Sequence, residues 1–210
     1  MTNPSYLSLY AVLDADYLKK NRKPLYKSLI ACLKGGVTCV QLRSKDMEDR
    51  EYYETALKCK TICASHGVPF IINDRVDIAV LIKADGIHVG NKDLPYAEVK
   101  KLFSGIIGVS ADSAAEALNL DRLKADYIGV GPIFPTSQKD KKAMGIAALI
   151  KISARISTPL VAIGGINEYN ILLLRTSGIR YFSFISGIFG SKNITAKTKK
   201  VKSLIYRREK

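Results

Sequence analysis

The sequence is poor in several residue types and patterns that would point to particular classes of protein. It has no tryptophan, two histidines and four cysteines among 210 residues, and no apolar run approaches the ~18 residues that a membrane span needs. The cysteines have neither histidines nor the paired spacing of a zinc site, so we expect buried, reduced thiols. The N-terminus has neither a basic start nor an apolar run of signal-peptide length. These absences predict a soluble cytoplasmic protein.

Acidic residues are also scarce, with 19 Asp and Glu against 33 Lys and Arg and a net charge of +14. Such a charge fits nucleic acid, an anionic membrane or small anionic substrates. Part of the charge is local, since eight basic residues and one acid lie between Lys192 and Lys210. We interpret this stretch as the solvated face of a last helix at about 192–208. It offers only Tyr206 for stacking on bases, so nucleic acid is the less favoured alternative.

Eight short, mostly continuous apolar runs alternate along the chain with segments of helical periodicity. Runs of this kind are typical of parallel strands that are buried on both faces. We therefore predict an α/β protein with one (β/α)8 TIM-barrel domain over residues 1–210, the barrel itself spanning about 6–190. An open, doubly wound sheet is the alternative. The predicted strands are residues 8–13, 38–42, 69–72, 86–89, 106–109, 127–130, 160–163 and 181–185.

Two carboxylates are predicted to follow neighbouring strands of this barrel. Asp74 comes directly after the third strand and Asp93 follows the fourth. Active sites of such barrels lie at the C-terminal ends of the strands, and Mg²⁺ is commonly held there by one or two carboxylates plus substrate phosphates. Asp74 has an alternative interpretation as the N-cap of the next helix, and Arg75 has one as a structural partner of Asp77.

Other polar and small residues are predicted to lie at the same barrel mouth. Gln41, Arg43 and Lys45 follow the second strand and can supply two fixed cations for a diphosphate, although an ordinary charged surface loop is the alternative. Gly164-Gly165 and Gly187 allow close approach of backbone N–H groups to a phosphate after strands seven and eight. A polar and basic loop follows Thr136. The sequence thus predicts a site for phosphate chemistry.

Neither histidine is predicted to be a catalytic base. His66 precedes Gly67 at a helix end, where a capping role is expected. His88 lies within the fourth strand, where we expect a barrel-lining or core residue. No general base is therefore apparent in the sequence.

The chain resembles the thiamine phosphate synthase (thiamine-phosphate pyrophosphorylase) family along nearly its whole length, from about Tyr10 to Ile188. The resemblance is carried by short motifs in a specific order: Gln41-Leu42-Arg43-Ser44-Lys45, Ile72-Asn73-Asp74-Arg75, Ala84-Asp85-Gly86-Ile87-His88-Val89-Gly90 with Asp93, Gly108-Val109-Ser110, Gly129-Val130-Gly131-Pro132-Ile133-Phe134-Pro135-Thr136, Ala162-Ile163-Gly164-Gly165-Ile166 and Ile185-Ser186. The resemblance implies a transferase of thiamine biosynthesis that joins 4-amino-5-hydroxymethyl-2-methylpyrimidine diphosphate to a thiazole phosphate. The products would be thiamine phosphate and pyrophosphate.

The resemblance also implies roles for individual residues. Asp74 and Asp93 would bind Mg²⁺, and Arg43, Lys45, Ser110 and Lys139 would be catalytic. The pyrimidine diphosphate would be held by Gln41, Leu42, Arg43, Ser44, Lys45, Asn73, Ser110 and Lys139. The thiazole phosphate would be held by Thr136, Ser137, Gln138, Gly165, Ile185 and Ser186.

The chain departs from the family pattern at two positions. Gln138 stands where the family commonly has a second threonine, and Asp112 stands where it commonly has a histidine. The related thiazole tautomerases use that histidine for proton transfer, so its absence argues against tautomerase activity. A diverged phosphate-binding barrel of the same family remains the alternative. The sequence leaves open the oligomeric state, with a homo-oligomer possible, and the form of the thiazole phosphate.

Overall fold

The fold is seen in a computed structural model of the chain, which describes residues 4–136 and 142–207. Eight parallel strands pair in chain order, and β1 also pairs with β8 to close a barrel. This closure excludes the open sheet and confirms the predicted (β/α)8 barrel. The strands are β1 Leu9–Asp14, β2 Cys39–Arg43, β3 Phe70–Asn73, β4 Gly86–Val89, β5 Ile106–Ala111, β6 Tyr127–Val130, β7 Leu160–Ile163 and β8 Tyr181–Phe184.

Each predicted strand overlaps an observed one, and the differences lie at the ends. Arg43, Asn73 and Ser110 were expected just beyond strands and instead belong to the last residues of β2, β3 and β5. The reason is that the pairing between neighbouring strands continues through these positions. Their side chains therefore start from rigid backbone.

Helices cover the outside of the barrel, with a short 3₁₀ helix at Pro4–Leu7 before the first strand. Among the described residues, the α-helices are α1 Ala15–Lys20, α2 Leu25–Gly35, α3 Asp49–Ala64, α4 Val76–Leu81, α5 Tyr96–Leu102, α6 Ala114–Arg122, α7 Ile146–Ser153, α8 Ile171–Thr176, α9 Ser186–Phe189 and α10 Ile194–Ile205.

The strands bury both of their faces, which explains their continuous apolar character. On β1, Leu9 and Leu13 belong to the core between sheet and helices, whereas Tyr10 and Val12 belong to a separate cluster inside the barrel. Leu7 of the 3₁₀ helix joins this inner cluster and is fully buried. Burying a side chain such as leucine stabilises the fold by about 1.5–3 kcal/mol.

The last helix, α10, is tied to the barrel by packing and by charge. A Cβ added at Gly35 would lie 2.3 Å from Cβ of Thr198, so the close approach of α2 to α10 requires glycine. Glu168, in the loop after β7, forms ion pairs with Lys197 and Lys200 of α10. Part of the basic character of this helix therefore serves an internal contact.

The four cysteines are buried and none forms a disulfide. Burial is the main cause that raises the pKa of each thiol. The thiols consequently stay protonated and unreactive at neutral pH.

Within residues 4–136 and 142–207, no helix combines the length and the apolar character that crossing a membrane requires.

Candidate active site

A cavity of about 270 Å³ lies in the mouth of the barrel, at the C-terminal ends of the strands. All eight strands or the loops that follow them contribute to its lining. The structure brings together in this cavity the following residues that the sequence singled out: Gln41, Arg43, Lys45, Asn73, Asp74, Asp93, Ser110, Thr136, Gly165, Ile185 and Ser186.

Arg43 is held at the cavity by a carboxylate that the sequence analysis did not identify. Its Nη1 donates to Oδ2 of Asp14 at 2.5 Å, and the Asp14 side chain is 5% exposed. Asp14 also accepts a hydrogen bond from the backbone N–H of Tyr17, which caps α1. A guanidinium has five N–H donors, so the bond to Asp14 leaves donors for an anionic ligand.

Asp74 and Asp93 approach each other at the ends of β3 and β4. Burial is the main cause that raises the pKa of Asp93, and a hydrogen-bonding contact with Asp74 is the second cause. The Lys45 ammonium forms an ion pair with Asp74, and the backbone N–H of Gly90 donates to Asp93 at 2.8 Å. Two carboxylates this close favour a bound cation, since a cation reduces their mutual repulsion.

The backbone at Asp74 has an unusual conformation, and its carboxylate does not cap the helix that follows. Its φ angle is +61°, a left-handed conformation that few non-glycine residues adopt and that often marks functional sites. The N-cap of α4 is Arg75, and α4 has no side-chain cap hydrogen bond. The capping interpretation of Asp74 was therefore wrong, and this carboxylate faces Lys45 instead.

Arg75 has the structural role that the sequence analysis offered as an alternative. Its guanidinium donates to Asp77 and to Asp49, each at 2.6 Å. These bonds join the start of α4 to the start of α3. Arg75 is absent from the cavity lining.

A chain of hydrogen-bonded side chains crosses the cavity from β2 to β5. Gln41 Nε2 donates to the Tyr10 hydroxyl at 2.7 Å, and that hydroxyl lies 2.8 Å from the hydroxyl of Tyr127. The Tyr127 hydroxyl lies 3.0 Å from Nδ1 of His88, and Nε2 of His88 lies 3.0 Å from Oγ of Ser110. The interior of the barrel thus carries an ordered polar network beneath the charged mouth.

On the opposite side of the cavity, at β7 and β8, the loop after β7 contributes two adjacent glycines to the lining. Gly164 and Gly165 have φ angles of +92° and +67°. The Gly165 carbonyl accepts hydrogen bonds from the side-chain amides of Asn170 at 2.9 Å and Asn167 at 3.3 Å. Because the carbonyl is fixed, the peptide plane that it shares with Ile166 is fixed as well. This loop presents rigid backbone to the cavity.

Two described residues that were predicted to bind substrate, Leu42 and Ser44, do not line this cavity. Leu42 is fully buried in the core between the sheet and the helices, because alternate residues of a strand face opposite sides. Ser44 donates from Oγ to Asp16 and accepts from the backbone N–H of Met47, so its hydroxyl organises the loop. Ser137, Gln138 and Lys139 lie outside the described residues.

The cavity residues that were missed or given too little weight in the sequence include Tyr10, Asp14, His88 and Tyr127. Tyr10 and Tyr127 lie within apolar strands, where either face is buried and the pattern does not reveal which side chain points inward. Asp14 is the last residue of β1, and Asp74 comes directly after β3. The rule that polar residues at strand ends form the site, which identified Asp74, would therefore have identified Asp14 as well.

Asp112 stands two residues beyond Ser110, at the position of the family's common histidine. Its carboxylate accepts a hydrogen bond from the Asn91 side-chain amide at 2.7 Å, and its backbone N–H donates to Glu116. Asp112 is absent from the cavity lining. This position thus contributes to the loop structure beside the site.

Comparison with known proteins gives the same family as the motifs. A family model described as thiamine monophosphate synthase matches residues 9–188. The chain is 43% identical to a thiamine-phosphate synthase of Ruminiclostridium cellulolyticum, over 92% of this chain and 93% of that protein. It is 45% identical to a thiamine-phosphate synthase of Clostridium acetobutylicum, over 95% and 94% of the two chains.

Solved structures agree in fold and, for one of them, in sequence. A thiamine phosphate pyrophosphorylase from Pyrococcus furiosus matches with a TM-score of 0.88 and 32% identity, covering 97% of this chain and 98% of that one. A tryptophan synthase α-subunit from the same organism, at 13% identity and a TM-score of 0.69, shares the fold alone. With the family model matching across eight strands, the chain belongs to the thiamine phosphate synthase family.

Proposed function

We propose that this chain joins 4-amino-5-hydroxymethyl-2-methylpyrimidine diphosphate to a thiazole phosphate, giving thiamine phosphate and pyrophosphate. The observation that carries the proposal is the charge arrangement in the cavity mouth. Two cationic side chains, Arg43 and Lys45, and two adjoining carboxylates, Asp74 and Asp93, converge at the ends of β2, β3 and β4. Family membership supplies the identity of the two substrates.

The β2 and β3 side of the cavity suits the pyrimidine diphosphate. Arg43 and Lys45 supply positive charge, and Asn73 and Gln41 supply amide groups on rigid strands. Lys139, outside the described residues, would add a further cation. Negative charge grows on the diphosphate as its bond to the pyrimidine methylene breaks, so cations fixed at this place act mainly on the transition state.

The acid pair suits Mg²⁺. No cluster of three or more His, Cys, Asp or Glu side chains with metal-binding geometry occurs in the part of the chain that the structure describes. Two carboxylates fit Mg²⁺, which usually completes its octahedral shell with substrate phosphates and water. Bound there, Mg²⁺ would neutralise charge on the diphosphate.

The β7 and β8 side suits the phosphate of the thiazole substrate. Thr136 and Ser186, which carry hydroxyl groups, line it together with Gly165 and Ile185. Ser137 and Gln138 follow Thr136 in the sequence. Opposed sites at a single cavity hold the thiazole nitrogen towards the pyrimidine methylene, and such alignment lowers the entropic part of the barrier.

The reaction we propose is dissociative and needs little proton transfer from the protein. Departure of pyrophosphate leaves a resonance-stabilised pyrimidine methylene cation, which the thiazole nitrogen captures. Tyr10 and Tyr127 have pKa values that burial, the main cause, raises well above the ordinary range, so neither phenol serves as a base. A neutral, ordered cavity floor is sufficient for this route.

We also propose a cytoplasmic location for the protein. Its four thiols are buried and reduced, as is usual in reducing compartments.

The first test is the formation of thiamine phosphate from the two purified substrates, with and without Mg²⁺. We expect wild type to require Mg²⁺ and Asp93→Asn to lose at least about 100-fold in kcat, because the isosteric amide keeps the shape and removes the charge. Glu98→Gln is the matched control, since Glu98 is an exposed acid on α5 that pairs with Lys101. It should behave as wild type.

The outcomes separate the parts of the proposal. Product that forms equally well with Asn at position 93 would refute the metal assignment and leave the reaction intact. No product from wild type, with both substrates bound in a calorimetric titration, would instead favour the diverged phosphate-binding barrel.

A further inference from the structure

The hydrogen-bonded chain from Gln41 to Ser110 is more elaborate than a filled barrel interior requires. Tyr10 is 2% exposed and Tyr127 is 1% exposed, yet both place a hydroxyl group in the middle of the barrel. Each hydroxyl finds polar partners on both sides, across strands β1, β2, β4 and β6. Apolar residues of similar volume would fill this space without a network that must be fully satisfied.

Two glycines make room for the side chains of this hydrogen-bonded network. A Cβ at Gly108 would lie 1.9 Å from Cζ of Tyr127, and a Cβ at Gly129 would lie 3.1 Å from Cε1 of His88. The Tyr127 and His88 rings stack with centroids 5.5 Å apart. The backbone of β5 and β6 thus accommodates two rings that lie across the barrel, and the rings hold their polar atoms in place.

The partners at each end determine in which direction the hydrogen bonds of this network are donated. Gln41 donates to the Tyr10 oxygen, so Tyr10 can donate its own hydrogen to Tyr127, and Tyr127 can donate to Nδ1 of His88. His88 then carries its hydrogen on Nε2 and donates it to Oγ of Ser110. The Ser110 hydroxyl, which lines the cavity, is left with its hydrogen for a ligand.

The opposite placement of the imidazole hydrogen is unfavourable. If Nδ1 carried the hydrogen, it would donate to the Tyr127 oxygen, Tyr127 would donate to Tyr10, and the Tyr10 hydrogen would then meet Gln41 Nε2, which is itself a donor. A buried hydroxyl that loses its acceptor is costly, whereas a satisfied chain stabilises the fold. Burial, the main cause, raises the pKa of both phenols well above the ordinary range, so each keeps its hydrogen.

We propose that Tyr10, Tyr127 and His88 are positioning residues that fix the Ser110 hydroxyl as a hydrogen-bond donor towards an anionic oxygen in the cavity. The inference rests on the proposed function, because the oxygen it serves is that of the departing diphosphate. His88 acts here through its tautomer and exchanges no proton with the substrate. The hydrogen-bonded network fixes the direction of each hydrogen bond from Gln41 on β2 to the Ser110 hydroxyl on β5.

The tautomer can be tested in the free protein, independently of activity. The chain has two histidines, so ¹⁵N spectra of labelled imidazoles are simple, and His66→Gln identifies the signals of His88. We expect the Nε2–H tautomer in wild type and a mixture in Tyr127→Phe. Tyr96→Phe, which removes a hydroxyl that donates to the Lys124 carbonyl outside the cavity, should keep the Nε2–H form. An Nδ1–H tautomer or an imidazolium in wild type at neutral pH would overturn the proposal.

Kinetics test the effect on Ser110. We expect Tyr127→Phe to lower kcat by about tenfold while KM for each substrate changes less than about twofold, since the lost orientation acts on the leaving group. Tyr10→Phe, one step further away, should have a smaller effect, and Tyr96→Phe none.

A double-mutant cycle separates this role from a structural one. In Ser110→Ala, the hydroxyl that the chain orients is absent, so adding Tyr127→Phe should lower kcat by less than about twofold more. Full additivity of the two losses would refute the coupling. Should wild type form no thiamine phosphate, the proposed function fails, while the spectra still report whether the chain has the stated direction.

Discussion

The two sides of the cavity are built differently. On the side of β2, β3 and β4, charged side chains line the mouth, and both cations are paired with a carboxylate, Arg43 with Asp14 and Lys45 with Asp74. None of the described residues that line the side of β7 and β8 is charged, and the loop after β7 is shaped by Gly164 and Gly165 and fixed by the side-chain amides of Asn167 and Asn170.

Under the proposed function, this difference assigns charge and shape to different substrates. The side-chain charges lie where the leaving group would gain negative charge, and the rigid backbone lies where a phosphate that does not react would only be held. Removing a charge should therefore lower the rate of the chemical step, whereas disturbing the backbone should weaken binding of one substrate.

The largest expected effect comes from Arg43→Ala. We expect kcat/KM for the pyrimidine diphosphate to fall by about 100- to 1,000-fold, because a fixed cation at the leaving group is lost. KM for the thiazole phosphate should change little. Steady-state kinetics with each substrate varied in turn would measure the two effects.

Asp14→Asn tests the same side of the cavity, because it removes the negative charge beside Arg43 and keeps the guanidinium. The amide can still accept from Tyr17 at the start of α1, but it no longer neutralises the guanidinium, so the expected loss is smaller than that of Arg43→Ala. Equal increases in both KM values for Arg43→Ala would contradict the division between the two sides. Thermal unfolding of both variants is needed, since removing Arg43 leaves a buried carboxylate unpaired.

An intermediate effect is expected for Gly165→Ala. The added Cβ would lie 2.7 Å from Cβ of Phe134 and from the Pro135 carbonyl oxygen, so the loop must move. We expect KM for the thiazole phosphate to rise about tenfold, with KM for the pyrimidine diphosphate unchanged. Kinetics and thermal unfolding should be measured together.

Gly178→Ala is the matched control for this variant. Gly178 also has a positive φ, +85°, but an added Cβ there meets nothing within 4 Å. It should lose about 1 kcal/mol of stability from backbone strain alone and keep both KM values. A similar rise in KM in both variants would show that strain, and not displacement of the loop after β7, is responsible.

The smallest effect is expected at Glu168, which links the loop after β7 to α10. Its side chain is 7% exposed, and hydrogen bonding to Lys197, the main cause, lowers its pKa below the usual value of 4.5. A lowered folded-state pKa adds stability above pH 4.5 and loses it as the pH falls through the folded-state value. Glu168→Gln should therefore unfold about 1 kcal/mol more easily at pH 7.

This difference should vanish in acid, where the wild-type carboxylate is protonated. Chemical unfolding of both proteins between pH 7 and pH 3 would measure it. Glu98→Gln, which removes an exposed pair on α5, should match wild type throughout. A gap between wild type and Glu168→Gln that persists unchanged to pH 3 would show that the ion pair is not its source.

The barrel was predictable because its signal is repeated. Eight apolar runs separated by helical segments leave few alternatives, and small errors at strand ends do not change the topology. The mouth was predictable for a related reason, since polar residues such as Asp74 and Asp93 stand out where an apolar strand ends.

The interior was harder to predict because it depends on the direction of side chains and on register. Tyr10 and Leu9 are both buried, and only the register shows that Tyr10 faces the cavity. Leu42 was placed among the ligands because it stands between Gln41 and Arg43, although the alternation along a strand turns it outward. The left-handed backbone of Asp74 likewise has no signature in the sequence.

The pairing of β1 with β8 has a consequence for the order in which the molecule assembles. It joins Leu9 to Phe182, and contacts so distant along the chain form late because long loops must close first. Until then, β1 and β8 have open edges that invite pairing with other chains. Before closure, Tyr10 on β1 is also separated from β7 and β8, the last two strands that line the cavity. The complete cavity therefore exists only after closure, and ligands that span it favour the closed barrel over every partly folded form.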